Sequence, residues 1–284
     1  MPDVESLVER AAKDIVRSRY VIALTGAGMS TESGIPDFRG PDGIWTKNPE
    51  AEKLAYQTYH KFLRDPKEYW EQMINGRPLL GDLVNAQPNL GHHALVKMEE
   101  MGILRCVLTQ NIDGLHVKAG NQRVLEYHGS VNKLRCPSCG ARFNRDDQQL
   151  LKLVEAGQLP PLCKQCSSPI KDDVVHFHEP IPADVAQESL EEATRCDLML
   201  ICGTSAVVYP FAQLPRLAWQ RSKILRKGSD TSASGGIANV TIIEVNAEPT
   251  PLTYEGISDY LIQGKTAEIL PQIAGLVEAV LMGK

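Results

Sequence analysis

Two Cys-x-x-Cys pairs, Cys136-Pro-Ser-Cys139 and Cys163-Lys-Gln-Cys166, stand 23 residues apart in a chain of 284. Paired knuckles at this spacing bring four thiolates around one tetrahedral ion, and zinc is the metal such a sulfur shell suits. A catalytic zinc keeps one position open for water. Four sulfurs leave none, so this ion would hold structure rather than carry out chemistry. A redox dithiol would sit at a strand-to-helix junction of its own fold, and a disulfide pair needs an oxidising compartment; neither suits two facing pairs. A nucleic-acid-binding zinc ribbon is the more serious rival. Lys133, Arg135, Arg142 and Arg145 lie nearby, but Asp146, Asp147, Asp172 and Asp173 offset them.

Outside the knuckles, strand and helix patterns alternate. Val4, Leu7, Val8, Ala11, Ala12, Ile15 and Val16 recur at helical spacing, so the chain opens on an amphipathic helix feeding a strand from Tyr20 to Leu24. Further strands are predicted at Arg105 to Leu108, Arg123 to Tyr127, Asp197 to Cys202 and Asn239 to Val245, with helices around 50–74, 89–101, 183–195 and 210–225. That rhythm predicts an α/β fold with a Rossmann-like, doubly wound parallel sheet. Residues 130–182 break it with the cysteine pairs, several prolines and a helix-like segment near Asp146 to Glu155, which marks a small zinc-binding domain. The expected division is 1–45, 85–130 and 183–284 in the large domain, 46–84 as the helical part of the small one, and 131–182 as its zinc module. The polar segment 227–236 reads as a surface loop.

Composition narrows the class of function. A net charge of −5 argues against a global grip on nucleic acid or anionic membrane and favours a basic partner, such as a lysine-rich tail. The charged N-terminal stretch is neither a secretory signal nor a membrane span, and no run reaches bilayer length. Cys106, Cys196 and Cys202 bring the cysteines to an odd seven, which points to a reduced, cytoplasmic setting.

In a parallel sheet, ligands bind beyond the carboxyl ends of the strands. The first strand runs into Thr25-Gly26-Ala27-Gly28-Met29-Ser30, whose glycines admit a phosphate to backbone amides. The third glycine of the dinucleotide fingerprint is replaced by Thr31, and no second strand ending in an acid follows, so an ordinary hydride-transferring dehydrogenase is disfavoured. Ser33 to Gly40 follows, a turn-rich loop that carries Asp37, Phe38 and Arg39. A second strand ends in Thr109-Gln110-Asn111-Ile112-Asp113-Gly114, neutral hydrogen-bonding groups plus one carboxylate, suited to an amide and a sugar. His128 lies at the end of a third and is a candidate general base. Gly203, Thr204, Ser205 and Asn246 end two more, with small donors for the second half of an extended ligand.

Taken together, GAGMSTESGIPDFRG, TQNIDGLH, the YHG around His128, the two CxxC pairs, the GTS at Gly203 and VNAEPT resemble a sirtuin, an NAD-dependent protein-lysine deacylase, in order and over roughly residues 20–270. The resemblance implies a cleft between the two domains that holds NAD and an acylated lysine. Gly26, Ala27, Gly28, Thr31, Asp37, Phe38 and Arg39 would contact the pyrophosphate and nicotinamide-ribose side. Gln110, Asn111, Ile112 and Asp113 would line the nicotinamide and ribose pocket, with Asp113 on the carboxamide. Gly203, Thr204, Ser205, Asn246 and Thr266 would hold the adenosine half, and Val175 and Phe177 would wall the acyl-lysine tunnel. Asn111 and His128 would be the catalytic pair, His128 acting as base on a ribose hydroxyl once nicotinamide has left.

Members that remove succinyl or malonyl groups carry a tyrosine and an arginine where Met73 and Gly76 align, with Arg77 adjacent. Neither residue pairs with a carboxylate, so acetyl or a longer apolar acyl group is expected. His178 replaces a glycine of the family, and His176 would share its face of an extended segment. An ADP-ribosyltransferase using the same NAD cleft and a non-catalytic NAD-binding protein are the alternatives. The substrate protein and the oligomeric state stay open.

Overall fold

The computed structural model describes residues 3–40, 43–75, 83, 85–228 and 239–283. Its strands, in chain order, are β1 (Val21–Thr25), β2 (Leu104–Thr109), β3 (Val124–Glu126), β4 (Lys133–Arg135), β5 (Arg142–Asn144), β6 (Lys171–Asp172), β7 (Leu198–Cys202), β8 (Thr241–Asn246) and β9 (Tyr260–Gln263). Six of them form one sheet in the order β3-β2-β1-β7-β8-β9, and every pairing in it is parallel. Both faces are covered, which is why the central strands read as unbroken apolar runs. Val21 and Ala23 face one core with the helices Val4–Arg17, Leu90–Glu100 and Thr266–Leu281. Ile22 and Leu24 face the other with Ala193, Leu214 and Ala218, from helices Ala183–Arg195 and Gln213–Gly228.

The expected strands and helices are present, with displaced ends. β1 begins one residue late because the Tyr20 amide donates to the Asp197 carboxylate at 2.8 Å instead of joining the ladder. The helix expected over 50–74 is two, Pro49–Arg64 and Pro66–Asn75. Pro66 has no amide hydrogen to continue the first, and Asp65 caps the second by accepting from Lys67 and Glu68 at 3.0 Å. The helix expected at 210–225 runs instead over Gln213–Gly228. β9 and the helix Thr266–Leu281 were not anticipated: the strand is only four residues long, and Pro271 interrupts the helical pattern.

Residues 131–182 carry a second, antiparallel sheet, β5-β4-β6. Its core is shared with the two helices after Asn48. Phe62, Tyr69 and Trp70 pack with Leu134, Leu150 and Ile170, and the Trp70 indole donates to the Ile170 carbonyl at 2.8 Å. The predicted helix near 146–155 is present as Asp147–Glu155. Gly76, Arg77 and most of the polar loop, 229–236, lie outside the described residues. Among the described residues no helix is long and apolar enough to cross a membrane.

Two imidazoles are sealed beneath the carboxyl edge of the large sheet. His92 and His116 are buried, with ring centroids 4.8 Å apart, and His116 Nε2 lies 2.9 Å from Thr25 Oγ1. Burial, aided for His92 by His116, pushes them down to about 2 and about 4 respectively, so both rings are neutral in the native protein. The unfolded chain protonates them below about 6.5. Their contribution is therefore complete above that pH and is lost as pH falls from it toward the folded values, at up to about 1.4 kcal/mol per pH unit for each ring. Urea unfolding between pH 7 and pH 5 is expected to show this slope, and His92→Leu to make it shallower by about one proton.

Candidate active site

The strand order reverses between β1 and β7, so the loops leaving these neighbours diverge and open a crevice at their carboxyl ends. The two loops meet at its floor. The Gly28 amide donates to the Gly203 carbonyl at 2.8 Å, and a Cβ on Gly28 would stand 2.9 Å from the Gly203 Cα. Thr266, at the start of the C-terminal helix, reaches the same turn, donating to the Gly28 carbonyl at 3.3 Å. Thr31 donates to that carbonyl at 3.2 Å.

One half of the crevice is built from the loop after β2. The Asn111 side-chain amide donates to the Gly26 carbonyl at 3.0 Å and to Ser30 Oγ at 3.1 Å. Ser30 in turn donates to Asp113 at 2.7 Å, whose other oxygen accepts the Leu115 amide at 2.8 Å. Burial raises the Asp113 carboxyl, and these two hydrogen bonds oppose that rise. Ser30 was not singled out in the sequence. The signal was its hydroxyl at the end of the glycine turn, and only the fold shows that it joins Asn111 to Asp113. The Ile112 carbonyl accepts the Val131 amide at 2.9 Å.

The other half lies beyond β7 and β8. Gln110 donates to Thr204 Oγ1 at 2.7 Å, and Asn246 donates to the Thr204 carbonyl at 3.0 Å, so these three predicted residues form one hydrogen-bonded set. Ser205 is exposed beside them, and Ala27 is half-buried in the glycine turn.

His128 lies between these halves and the small sheet. Its Nδ1 is 3.2 Å from the Gln110 carbonyl oxygen. A carbonyl only accepts, so Nδ1 carries the hydrogen and Nε2 keeps its lone pair. Burial lowers the pKa of this imidazole, the Gln110 carbonyl opposing, so the ring is neutral at neutral pH and able to take a proton. The His128 carbonyl accepts the Val175 amide at 2.8 Å. Gly129 sits so tightly on the next segment that a Cβ there would lie 1.9 Å from the Asp173 carbonyl oxygen.

Asp37, Phe38 and Arg39 are engaged on the helical side. Asp37 accepts the Gly40 amide at 3.0 Å. Phe38 packs on Trp45 with centroids 4.6 Å apart, and the Arg39 guanidinium lies 4.5 Å over the Trp45 ring and 3.3 Å from Glu52. Phe177 packs between Trp45, at 5.6 Å, and Tyr56, stacked at 4.1 Å. Val175 and Phe177 are therefore held at opposite ends of one short segment, the first by His128 and the second by aromatic rings.

That segment rests on buried charge. Lys171 is fully buried and donates to the carbonyls of Asp172 and Val174 at 2.7 and 2.6 Å. Arg135 pairs with Asp173 at 2.9 Å and with Glu179 at 2.6 Å, and Lys171 reaches Glu179 at 3.2 Å.

The four predicted cysteine sulfurs all lie within 4.8 Å of one another, with Cys136–Cys166 at 3.5 Å and Cys139–Cys163 at 3.6 Å. A regular tetrahedron of Zn–S bonds has edges of about 3.8 Å, so this donor set fits zinc with no ligand position left for substrate. Both knuckles have the same backbone: Cys136 accepts from Gly140, Cys163 accepts from Ser167, and Gly140 and Ser167 share a left-handed conformation at φ 75° and 60°.

A doubly wound α/β sheet with a crevice at its switch point, a buried imidazole in the loop after its edge strand β3 and a four-cysteine cluster beside a second, antiparallel sheet defines a class of Rossmann-like protein with a metal-stabilised small domain. The chain belongs to the Sir2 family, whose model matches residues 26–210. An NAD-dependent protein deacylase of Thermococcus kodakarensis is 39% identical over 276 residues, 97% of each chain. A Sir2 homologue solved with NAD is 37% identical, with a TM-score of 0.72 over 96% of this chain and 94% of its own. A Sir2 protein solved with a myristoylated histone peptide is 31% identical, with a TM-score of 0.64 over 99% and 100% of the two chains.

Purified protein is expected to carry one equivalent of zinc by elemental analysis. Cys163→Ala is expected to lose the metal and to lower the melting temperature. Reconstitution of chelated protein with cadmium, which is redox-inert, should restore both fold and activity. Activity that instead followed the Lewis acidity of the metal would contradict a structural zinc.

Proposed function

We propose that this protein is an NAD-dependent protein-lysine deacylase. It removes acyl groups, acetyl foremost, and with NAD and one water yields nicotinamide, free lysine and O-acyl-ADP-ribose. The observation that carries this reading is the bond from the Val175 amide to the His128 carbonyl, which joins the loop after β3, with the candidate base, to the segment after β6 that carries Val175 and Phe177. Membership of the Sir2 family and the deacylase relatives support it.

NAD, consumed as co-substrate, supplies a ribose carbon that accepts the acyl oxygen when nicotinamide departs. Asp113, oriented by Ser30 and the Leu115 amide, holds the carboxamide. Asn111 has its amide hydrogens committed to Gly26 and Ser30, and its Oδ1 accepts no hydrogen bond among the described residues. It is the acceptor for a ribose hydroxyl. His128 takes the proton of the attacking hydroxyl at Nε2. Gln110 and Ile112 complete this pocket. Gly26, Ala27, Gly28 and Thr31, with Asp37, Phe38 and Arg39, hold the pyrophosphate side, and Gly203, Thr204, Ser205, Asn246 and Thr266 hold the adenosine half. Val175 and Phe177 keep water from the acyl-lysine.

The division into 1–45, 85–130 and 183–284 as the NAD-binding domain, with 46–84 joined to the zinc module 131–182, is part of the same reading. The core shared by Phe62, Tyr69, Trp70 and Leu134 supports it. The acyl preference is for acetyl or apolar groups, because Met73 offers no partner to a carboxylate. Seven cysteines, four in the metal cluster and none in a disulfide, suit a reducing, cytoplasmic compartment. Incubation with NAD and a panel of acyl-lysine peptides is expected to release nicotinamide and acyl-ADP-ribose, most efficiently from acetyl-lysine. His128→Ala is expected to slow turnover by about 10²–10⁴-fold with NAD binding retained. Full turnover in that variant would remove His128 from the base role.

A further inference from the structure

The segment that carries Phe177 is fixed at both ends and strained between them. At one end the Val175 amide is bound to the His128 carbonyl. At the other, Glu179 is buried between Arg135 and Lys171, and its amide closes a turn onto the His176 carbonyl at 3.1 Å. The third residue of that turn is His178, at φ 67°. Glycine adopts this conformation freely and a side chain does not. The backbone alone would be better served by glycine, so the reason for an imidazole lies in what the ring touches.

It touches the helix Pro49–Arg64. Tyr56 and His60 are one helical turn apart and share a face. The His178 ring lies 5.8 Å from the Tyr56 centroid and 5.6 Å from that of His60. Tyr56 is the same ring that stacks on Phe177 at 4.1 Å and 24°. The two histidines therefore brace the outer side of the Tyr56–Phe177 stack. Without that brace, Phe177 would keep its place in the chain but lose the neighbour that fixes its partner ring.

We propose that His178 is a positioning residue for the acyl-lysine substrate. It clasps the 175–179 turn to the helix Pro49–Arg64 and thereby sets the orientation of the Phe177 ring. This rests on the reading that Phe177 walls the acyl-lysine site, so the test carries Phe177→Ala as a reference. His178→Gly relieves the backbone strain while deleting the clasp, and a merely structural role cannot produce the combination expected of it. Its melting temperature should be unchanged or higher. Its KM for an acetyl-lysine peptide should rise by about three- to tenfold, with kcat and the KM for NAD within about twofold of the parent. His60→Ala should raise the peptide KM less, and should add nothing in the His178→Gly background. An unchanged peptide KM in His178→Gly, with a raised KM in Phe177→Ala, would overturn the proposal alone. A lowered melting temperature in His178→Gly would also overturn it, by making the ring a prop of the fold. An unchanged peptide KM in a folded Phe177→Ala would instead remove Phe177 from the substrate wall.

Discussion

Much of this molecule depends on two glycines pressed together at the centre of the sheet. β1 and β7 are neighbours whose following loops turn apart, and the Gly28 amide joined to the Gly203 carbonyl ties those loops at their base. Each half of the crevice is then referenced to that tie. Asn111 is hung from Gly26, two residues before Gly28, and Thr204, one residue beyond Gly203, carries Gln110 and Asn246. Thr266 returns to the same point from the end of the chain. A ligand that spans both halves meets groups already held at a fixed separation, which removes the need to order them on binding.

The second constraint is electrostatic and lies under the other wall. Arg135, Lys171, Asp173 and Glu179 form a buried set in which each charge has an opposite partner. Removing one member would strand the others, at a cost of about 3–5 kcal/mol. Arg135 ends β4 and is followed directly by Cys136. The same short strand thus delivers one ligand to the metal cluster and one cation to the network beneath Val175 and Phe177. The cysteine cluster and the charge network are thus joined through adjacent residues of the backbone.

The sequence was most legible where one residue type admits one reading. The cysteine spacing gave the four-sulfur cluster, and the alternation of apolar runs gave the parallel sheet with both faces covered. The polar clusters at the strand ends marked Gln110, Asn111, Asp113, His128, Thr204 and Asn246, which the fold brings to one edge. What could not be read were features made by contact between distant segments. Ser30 is an ordinary turn serine until Asn111 and Asp113 arrive from 81 and 83 residues away. Lys171 and Glu179 look like surface charges until burial pairs them. Trp45 and Tyr56 gain meaning only from Phe177, and the last helix was obscured by Pro271.

The matched knuckles also bear on how the chain tolerates change. Because Cys136–Gly140 and Cys163–Ser167 present the same backbone to the ion, each is half of a clip, and a bound ion would add its closure of the excursion between them to the contacts that β5 and Leu150 already make. The entropy of closing such an excursion grows only with the logarithm of its length, about 0.6 kcal/mol for each doubling. The span pairs β5 with β4 and packs Leu150 into the core with Trp70 and Ile170, so extra residues enter it at that low entropic cost only where they leave these contacts in place.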